Sequence, residues 1–135
     1  MTNILLRVKT LNTDFAALFL RLILGGLFVY HGMQKIELYD TILPMSKEII
    51  GIGPKLSLNL VIFAEFFCGI LVLLGLFTRL AVIPITFTMA IAYFVAHKDD
   101  PFMMKELPLT FLLICVPIFI LGSGKYSLDR FIFKL

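Results

Sequence analysis

The chain has 135 residues, of which 60% are hydrophobic and 16% charged, with a mean hydropathy of +1.01 and a net charge of +3. So few charges cannot coat a soluble surface. A small positive excess spread over short loops is not a nucleic-acid footprint, but it suits loops that meet anionic headgroups. The composition selects lipid as the solvent.

Crossing a hydrocarbon core takes roughly 20 apolar residues of helix, and four segments approach that length. Helix one is predicted over Phe15 to Met33. Its apolar run is longer than the core of a secretory signal and no A-x-A-like site follows it, so it reads as a retained span. The stretch after it, "TILPMSKEIIGIGPK", places Ile42, Met45 and Ile49 near one side of a helix, which predicts a short amphipathic helix on the membrane surface. Helix two is predicted over Leu58 to Phe77. Helix three follows over Leu80 to Ala96 after a very tight turn, with Thr78 as its cap, so the two form an antiparallel hairpin. Helix four covers Leu107 to Ser123, with Pro108 in its first turn and Pro117 interior, where a kink is expected. With polar flanks included, the helices run over about residues 15–35, 57–77, 79–97 and 106–123. The runs are continuous rather than alternating, which favours helices over barrel strands. The fold class is therefore all-α: a polytopic transmembrane four-helix bundle in a single domain over residues 1–135, with a short interfacial helix between helices one and two.

Cys68 and Cys115 lie far apart inside apolar runs, with no C-x-x-C, and read as small buried hydrophobes. "GSGKYS" at Gly122 to Ser127 lacks the full phosphate-loop pattern and follows a helix, so its glycines read as a helix terminus. Lysines and arginines number six on the side of the termini and five on the other, with Arg21 within a span. This slight bias places both termini in the cytoplasm.

Polar groups inside the spans point to function. Taking Phe15 as the cytoplasmic edge and ~1.5 Å rise per residue, Arg21 lies about 9 Å deep, His31 about 24 Å and Glu65 about 18–20 Å. His97 ends helix three and Glu106 begins helix four at the outer edge. Four helices thus bring His31, Glu65, His97 and Glu106 into the outer half as candidate proton-relay groups. Glu65 is short and central, so it must be neutral or partnered. The expected partners are Arg21, across about 10 Å of depth, and His31 from the other side. Arg21 has a plainer alternative, snorkelling to the headgroups. On helical phase, Arg21, Gly25, Phe28 and Gly32 make a stripe on helix one. Glu65, Cys68, Gly69 and Val72 share a side of helix two, and Thr86, Ala90, Tyr93 and His97 form a stripe on helix three. Gly25, Gly32 and Gly69 allow close backbone approach.

The strings "LRLILGGLFVYHGMQK", "AEFFCGILVLLGLFTRLA" and "ELPLTFLLICVPIFILGSGKYSLD" together resemble the DoxX family of small bacterial four-helix membrane proteins, from about Phe19 to Asp129. The resemblance maps the family's polar positions onto Arg21, His31, Gly32, Lys35, Glu65, Gly69, Arg79, Glu106, Tyr126, Ser127 and Asp129. Where the family often has an aromatic between HG and the lysine, this chain has Met33. What the resemblance implies is a small subunit of a quinone-linked oxidoreductase complex in the bacterial cytoplasmic membrane.

On that reading a quinone is the expected cofactor, with Arg21, Tyr93 and Lys35 as binding residues beside the relay group. The expected partners are the bilayer, other subunits of the complex and a second copy of the chain. A haem or metal centre at His31, His97, Glu65 and Glu106 ranks lower, because no Glu-x-x-His occurs and the chain has only two histidines. A non-catalytic assembly protein, membrane anchor or small-molecule conduit is the remaining alternative.

Overall fold

In the computed structural model residues 4–134 are described, and four of their helices are long and apolar enough to cross a membrane. Helix one is Thr13–Glu37, helix two Pro54–Leu74, helix three Thr78–Ala96 and helix four Phe102–Leu121. Asn12 caps helix one by accepting the Phe15 N–H at 2.9 Å, with Asp14 in the first turn. The helix runs to Glu37, beyond the apolar stretch, because Gln34, Lys35 and Glu37 are good helix formers. Helix two begins at Pro54, whose missing N–H costs nothing in a first turn. It ends at Gly75, a left-handed C-cap with φ of 73°.

Several local expectations are corrected. Thr78 does not cap helix three: the cap position is Phe77, at φ of 49°, and Thr78 is a buried first-turn residue whose hydroxyl pairs with Ser123. Helix four starts at Phe102, so Pro108 is interior rather than in the first turn. Pro101 opens that helix and satisfies the start signal that Pro108 seemed to supply. The connection between helices one and two does contain a short helix, Tyr39–Ile42, continued by a 3₁₀ turn, Leu43–Met45. It stops before Ile49, so Ile42, Met45 and Ile49 share no helical face. The Tyr39 hydroxyl donates to Asn59 Oδ1 at 2.6 Å and ties this segment to helix two.

The bundle is a closed ring in which helix one packs on two and four, and helix three packs on two and four. Its centre is filled by Leu24 and Phe28, Cys68 and Val72, Val82, Ile85 and Met89, and Phe111, Cys115 and Ile118. Both cysteines are buried there as free thiols. Many other residues of the spans turn large apolar side chains outward, among them Phe19, Phe67, Leu80, Leu113 and Ile120. Such a surface is covered by lipid.

Helix one and helix two approach most closely, and glycines permit it. A Cβ on Gly25 would lie 2.7 Å from the Leu73 nitrogen and 2.9 Å from the Gly69 oxygen, and one on Gly32 would lie 2.7 Å from the Phe66 nitrogen. Gly26 has open space. Backbone cannot rotate away as a side chain can. Gly25→Ala or Gly32→Ala is therefore expected to cost about 1–3 kcal/mol. Gly26→Ala should be neutral or stabilising by up to about 1 kcal/mol. Thermal unfolding in detergent checks the contrast.

Candidate functional site

Glu65 is only 5% exposed, yet it lies on a helix whose outer face meets lipid. Around it helix two opens into a π turn, Phe63–Phe67. Helix three opens in the same way over Ala92–Ala96, immediately before His97. π turns widen the backbone by one residue and recur at functional sites. The second one has a geometric consequence. It absorbs about 100° of helical phase, which brings His97 back into line with Met89 and Ile85. The buried face of helix three is accordingly Ala81, Val82, Ile85 and Met89, not the predicted stripe through Thr86, Ala90 and Tyr93.

The partner of Glu65 is Lys35, whose Nζ donates to Glu65 Oε2 at 2.7 Å. Lys35 stands one helical turn beyond His31, at the end of helix one, and its stem reaches back into the bundle. A second charge pair lies close by: His97 Nδ1 is 2.7 Å from Asp100 Oδ2. With the proton on Nδ1 donated to Asp100, Nε2 is the free ring nitrogen.

Two cavities adjoin these pairs. One, of about 330 Å³, has Lys35, Glu65 and His97 at its polar end and Leu60, Val61 and Met89 among its apolar walls. The other, of about 190 Å³, is lined by His31, Glu65, His97, Phe28 and Phe111 among others. Glu65, Met89, Ala92 and His97 border both, so the carboxylate and the imidazole stand on their common wall. The His31 ring meets the Phe111 edge at 6.2 Å between centroids.

The structure thus brings together Glu65, His31, His97 and Lys35, and leaves three predicted residues elsewhere. Glu106 is exposed and lines neither cavity. Its helix turns Phe111, Cys115 and Ile118 inward instead. Tyr93 lines neither cavity; it sits beneath Lys105, whose Nζ is 5.4 Å from the ring centre. Arg21 does not reach Glu65, and it does not snorkel. It is 1% exposed at the opposite end of the bundle, where Nη2 donates to the Tyr126 carbonyl and the guanidinium fills the space left by the missing side chain of Gly75. Among the described residues no three His, Cys, Asp or Glu side chains are arranged to hold a metal ion.

At that opposite end the segment after helix four folds back as a clamp. Gly122, at φ of 72°, ends helix four, and its N–H donates to the Ile118 carbonyl at 2.8 Å. Arg79 donates to the carbonyls of Phe119 at 2.9 Å and Ile120 at 3.1 Å, which satisfies the orphan acceptors of that helix end. Asp129 accepts the Phe77 N–H at 2.9 Å and the Ser123 hydroxyl. Asp14 accepts the Lys125 N–H at 2.9 Å, so the start of helix one meets the loop after helix four.

The profile of one protein family, DoxX, matches residues 16–98 of this chain. The chain belongs to the DoxX family. It is a multi-pass membrane protein by that membership and by its four apolar helices. Among similar proteins, an uncharacterized protein of Haemophilus influenzae is 32% identical over 123 residues, covering 86% of this chain and 90% of the relative. The uncharacterized membrane protein Rv3486 of Mycobacterium tuberculosis is 32% identical over 126 residues, covering 82% and 77%. A Bacillus subtilis protein named "putative oxidoreductase CatD" is 29% identical over 122 residues, covering 90% of each. No solved structure matches the chain significantly.

The polar positions that carry the DoxX resemblance fall into two groups here. His31, Lys35 and Glu65 gather at the cavities, whereas Arg21, Arg79, Tyr126, Ser127 and Asp129 build the clamp, and Glu106 alone of the charged positions belongs to neither. Sequence reasoning missed Asp100 altogether. Its signal was the i, i+3 spacing from His97 at a helix end. It also missed Lys35 as the counter-charge, although Lys35 follows His31 at i+4 on the same helix face.

In this DoxX protein the ion pair is asymmetric, since the lysine side chain is 29% exposed and the glutamate 7%. Lys35→Met strands a buried carboxylate and is expected to cost about 3–5 kcal/mol. Glu65→Gln frees an ammonium that can turn to the headgroups, so its cost should stay near 1 kcal/mol. The double variant should regain most of what Lys35→Met loses, as a double-mutant cycle in detergent would measure.

Proposed function

We propose that this DoxX protein is the quinone-holding small subunit of a membrane-bound oxidoreductase complex in the bacterial cytoplasmic membrane. The observation that carries this reading is the slot of about 330 Å³ with hydrocarbon walls and a polar end made of Lys35, Glu65 and His97. A quinone supplies two-electron, two-proton chemistry, and the slot suits its flat apolar ring with polar oxygens at the edge. The Lys35 ammonium is a donor for a ring oxygen, and His97 Nε2 accepts from a hydroquinone hydroxyl or, in the imidazolium form, donates to a ring oxygen. Glu65 can hold a proton at its carboxylate, and Asp100 orients the imidazole. Protons enter at the His97–Asp100 end, where both side chains reach water. The electrons come from another subunit of the complex. The slight lysine and arginine excess on the side of the termini supports a cytoplasmic position for them, with the slot serving the extracytoplasmic leaflet. The relative named as a putative oxidoreductase adds support for redox chemistry of this kind.

The test is quinone retention by the full chain purified in lipid nanodiscs. Glu65→Gln and His97→Ala should each weaken binding of a quinone analogue by roughly tenfold to a hundredfold, the worth of one hydrogen bond to a charged group. Thr110→Val, outside the cavities, should leave binding unchanged. If the wild-type chain binds no quinone, or if Glu65→Gln lowers only its yield, the ion pair serves to fix helix register. The protein is then an assembly or anchor component.

A further inference from the structure

A third hollow lies beside the slot. It is a groove of about 470 Å³ between helices three and four, open toward lipid and lined by Val82, Ile83, Ala90, Val116, Phe119 and Ile120, among others. Phe87 lines both this groove and the slot, so the two meet at one aromatic side chain, itself 66% exposed.

Their chemistry is complementary along the axis of helix three. The groove's one hydroxyl, Thr86, donates to the Val82 carbonyl at 2.7 Å, and the Thr88 hydroxyl in the slot donates to the Pro84 carbonyl at 2.8 Å. Neither of these hydroxyls is left to seek a ligand, so from Phe87 onward the track offers hydrocarbon contacts and the Cys115 thiol. At the far end of the slot the charged groups are paired, Lys35 with Glu65 and His97 with Asp100, while the buried Ser57 hydroxyl on the slot's wall has no partner and can serve an uncharged polar head. Among the described residues no uncommitted cation lines either hollow, which disfavours the phosphate of a phospholipid and suits an uncharged polar head. Ala92, beside the polar end, and Val82, at the far side of the groove, are ten residues apart, on the order of 15 Å of helix axis. That is far more than a ring needs and is the length of several isoprene units.

We infer that the ligand is a quinone with a long isoprenoid tail, its ring in the slot and its tail laid past Phe87 into the groove between helices three and four. This rests on the quinone reading above and adds the class of quinone, the path of its tail and Phe87 as the residue that steers it. A bulkier side chain at Phe87 should divert the tail while leaving the ring site intact.

Photolabelling of the full chain in nanodiscs with two probes separates the possibilities. One quinone carries a diazirine beside the ring, the other carries it on the fourth isoprene unit. The ring probe should label peptides around Glu65 and His97, and the tail probe should label residues 82–87 or 115–120. Phe87→Trp should cut tail labelling there by roughly tenfold and leave ring labelling in place, as expected for overfilling an apolar site. The wild-type map decides the matter even if that variant folds poorly. Ring labelling with tail label on the outer face of helix one, or only on lipid, overturns this inference and spares the quinone reading. The tail path is likewise overturned if a phospholipid with a diazirine in its acyl chain labels the groove and excess long-tailed quinone does not displace it. Loss of ring labelling in the wild-type chain overturns both.

Discussion

A carboxylate buried in a bundle surrounded by lipid has to be matched, because neither water nor the bilayer will compensate its charge. Glu65 imposes that condition here, and Lys35 meets it at 2.7 Å. The pair joins the end of helix one to the body of helix two. It forms only because Gly25 and Gly32 let the two backbones close up and because the π turn at Phe63–Phe67 opens the helix around Glu65. Once the pair is in place, the carboxylate stands on the wall between two cavities, and His31 and His97 reach those cavities from other helices. A single electrostatic requirement thus fixes the register of two helices and the location of the polar end of the slot.

The two ends of the bundle divide the polar residues by task. The end nearer the termini spends Arg79 and Asp129 on backbone groups at helix ends and Arg21 on the loop carbonyl of Tyr126, with Ser123 bridging Thr78 and Asp129, and so closes the fold. The other end keeps its polar groups beside open space. Residues that resemble one another as family signatures therefore differ in what they do: the arginine of helix one is structural, and the lysine fourteen positions later faces a cavity.

The spans were legible because hydropathy, length and turn chemistry agree. The stripe of Arg21, Gly25, Phe28 and Gly32 is buried as its spacing requires, whereas the reading of helix two over Leu58 to Phe77 passes over its start at Pro54 and its end at Gly75. The gathering of His31, Glu65 and His97 was legible from depth along antiparallel helices. What escaped was whatever breaks the regular 100° step or lies beyond the apolar run. The π turn before His97 rotates the face of helix three, and nothing in "AYFVA" announces it. Lys35 and Asp100 sit outside the hydrophobic segments, where charged residues are ordinarily left to the headgroups. Arg21 was paired with the wrong group because depth alone cannot show that a loop more than a hundred residues later folds back over it.

That last contact bears on how the protein is made. Helix one leaves the ribosome before helices two to four, and it carries a guanidinium whose docking site is assembled from Gly75 and from the carbonyl of Tyr126 in the loop after helix four. Through most of synthesis this arginine has no finished berth, and a charge stranded at that depth is costly. The loop after helix four is thus what completes the berth of Arg21. A chain cut short before Tyr126 would keep the four described membrane-crossing helices and still present quality-control proteases with an unsealed helix one.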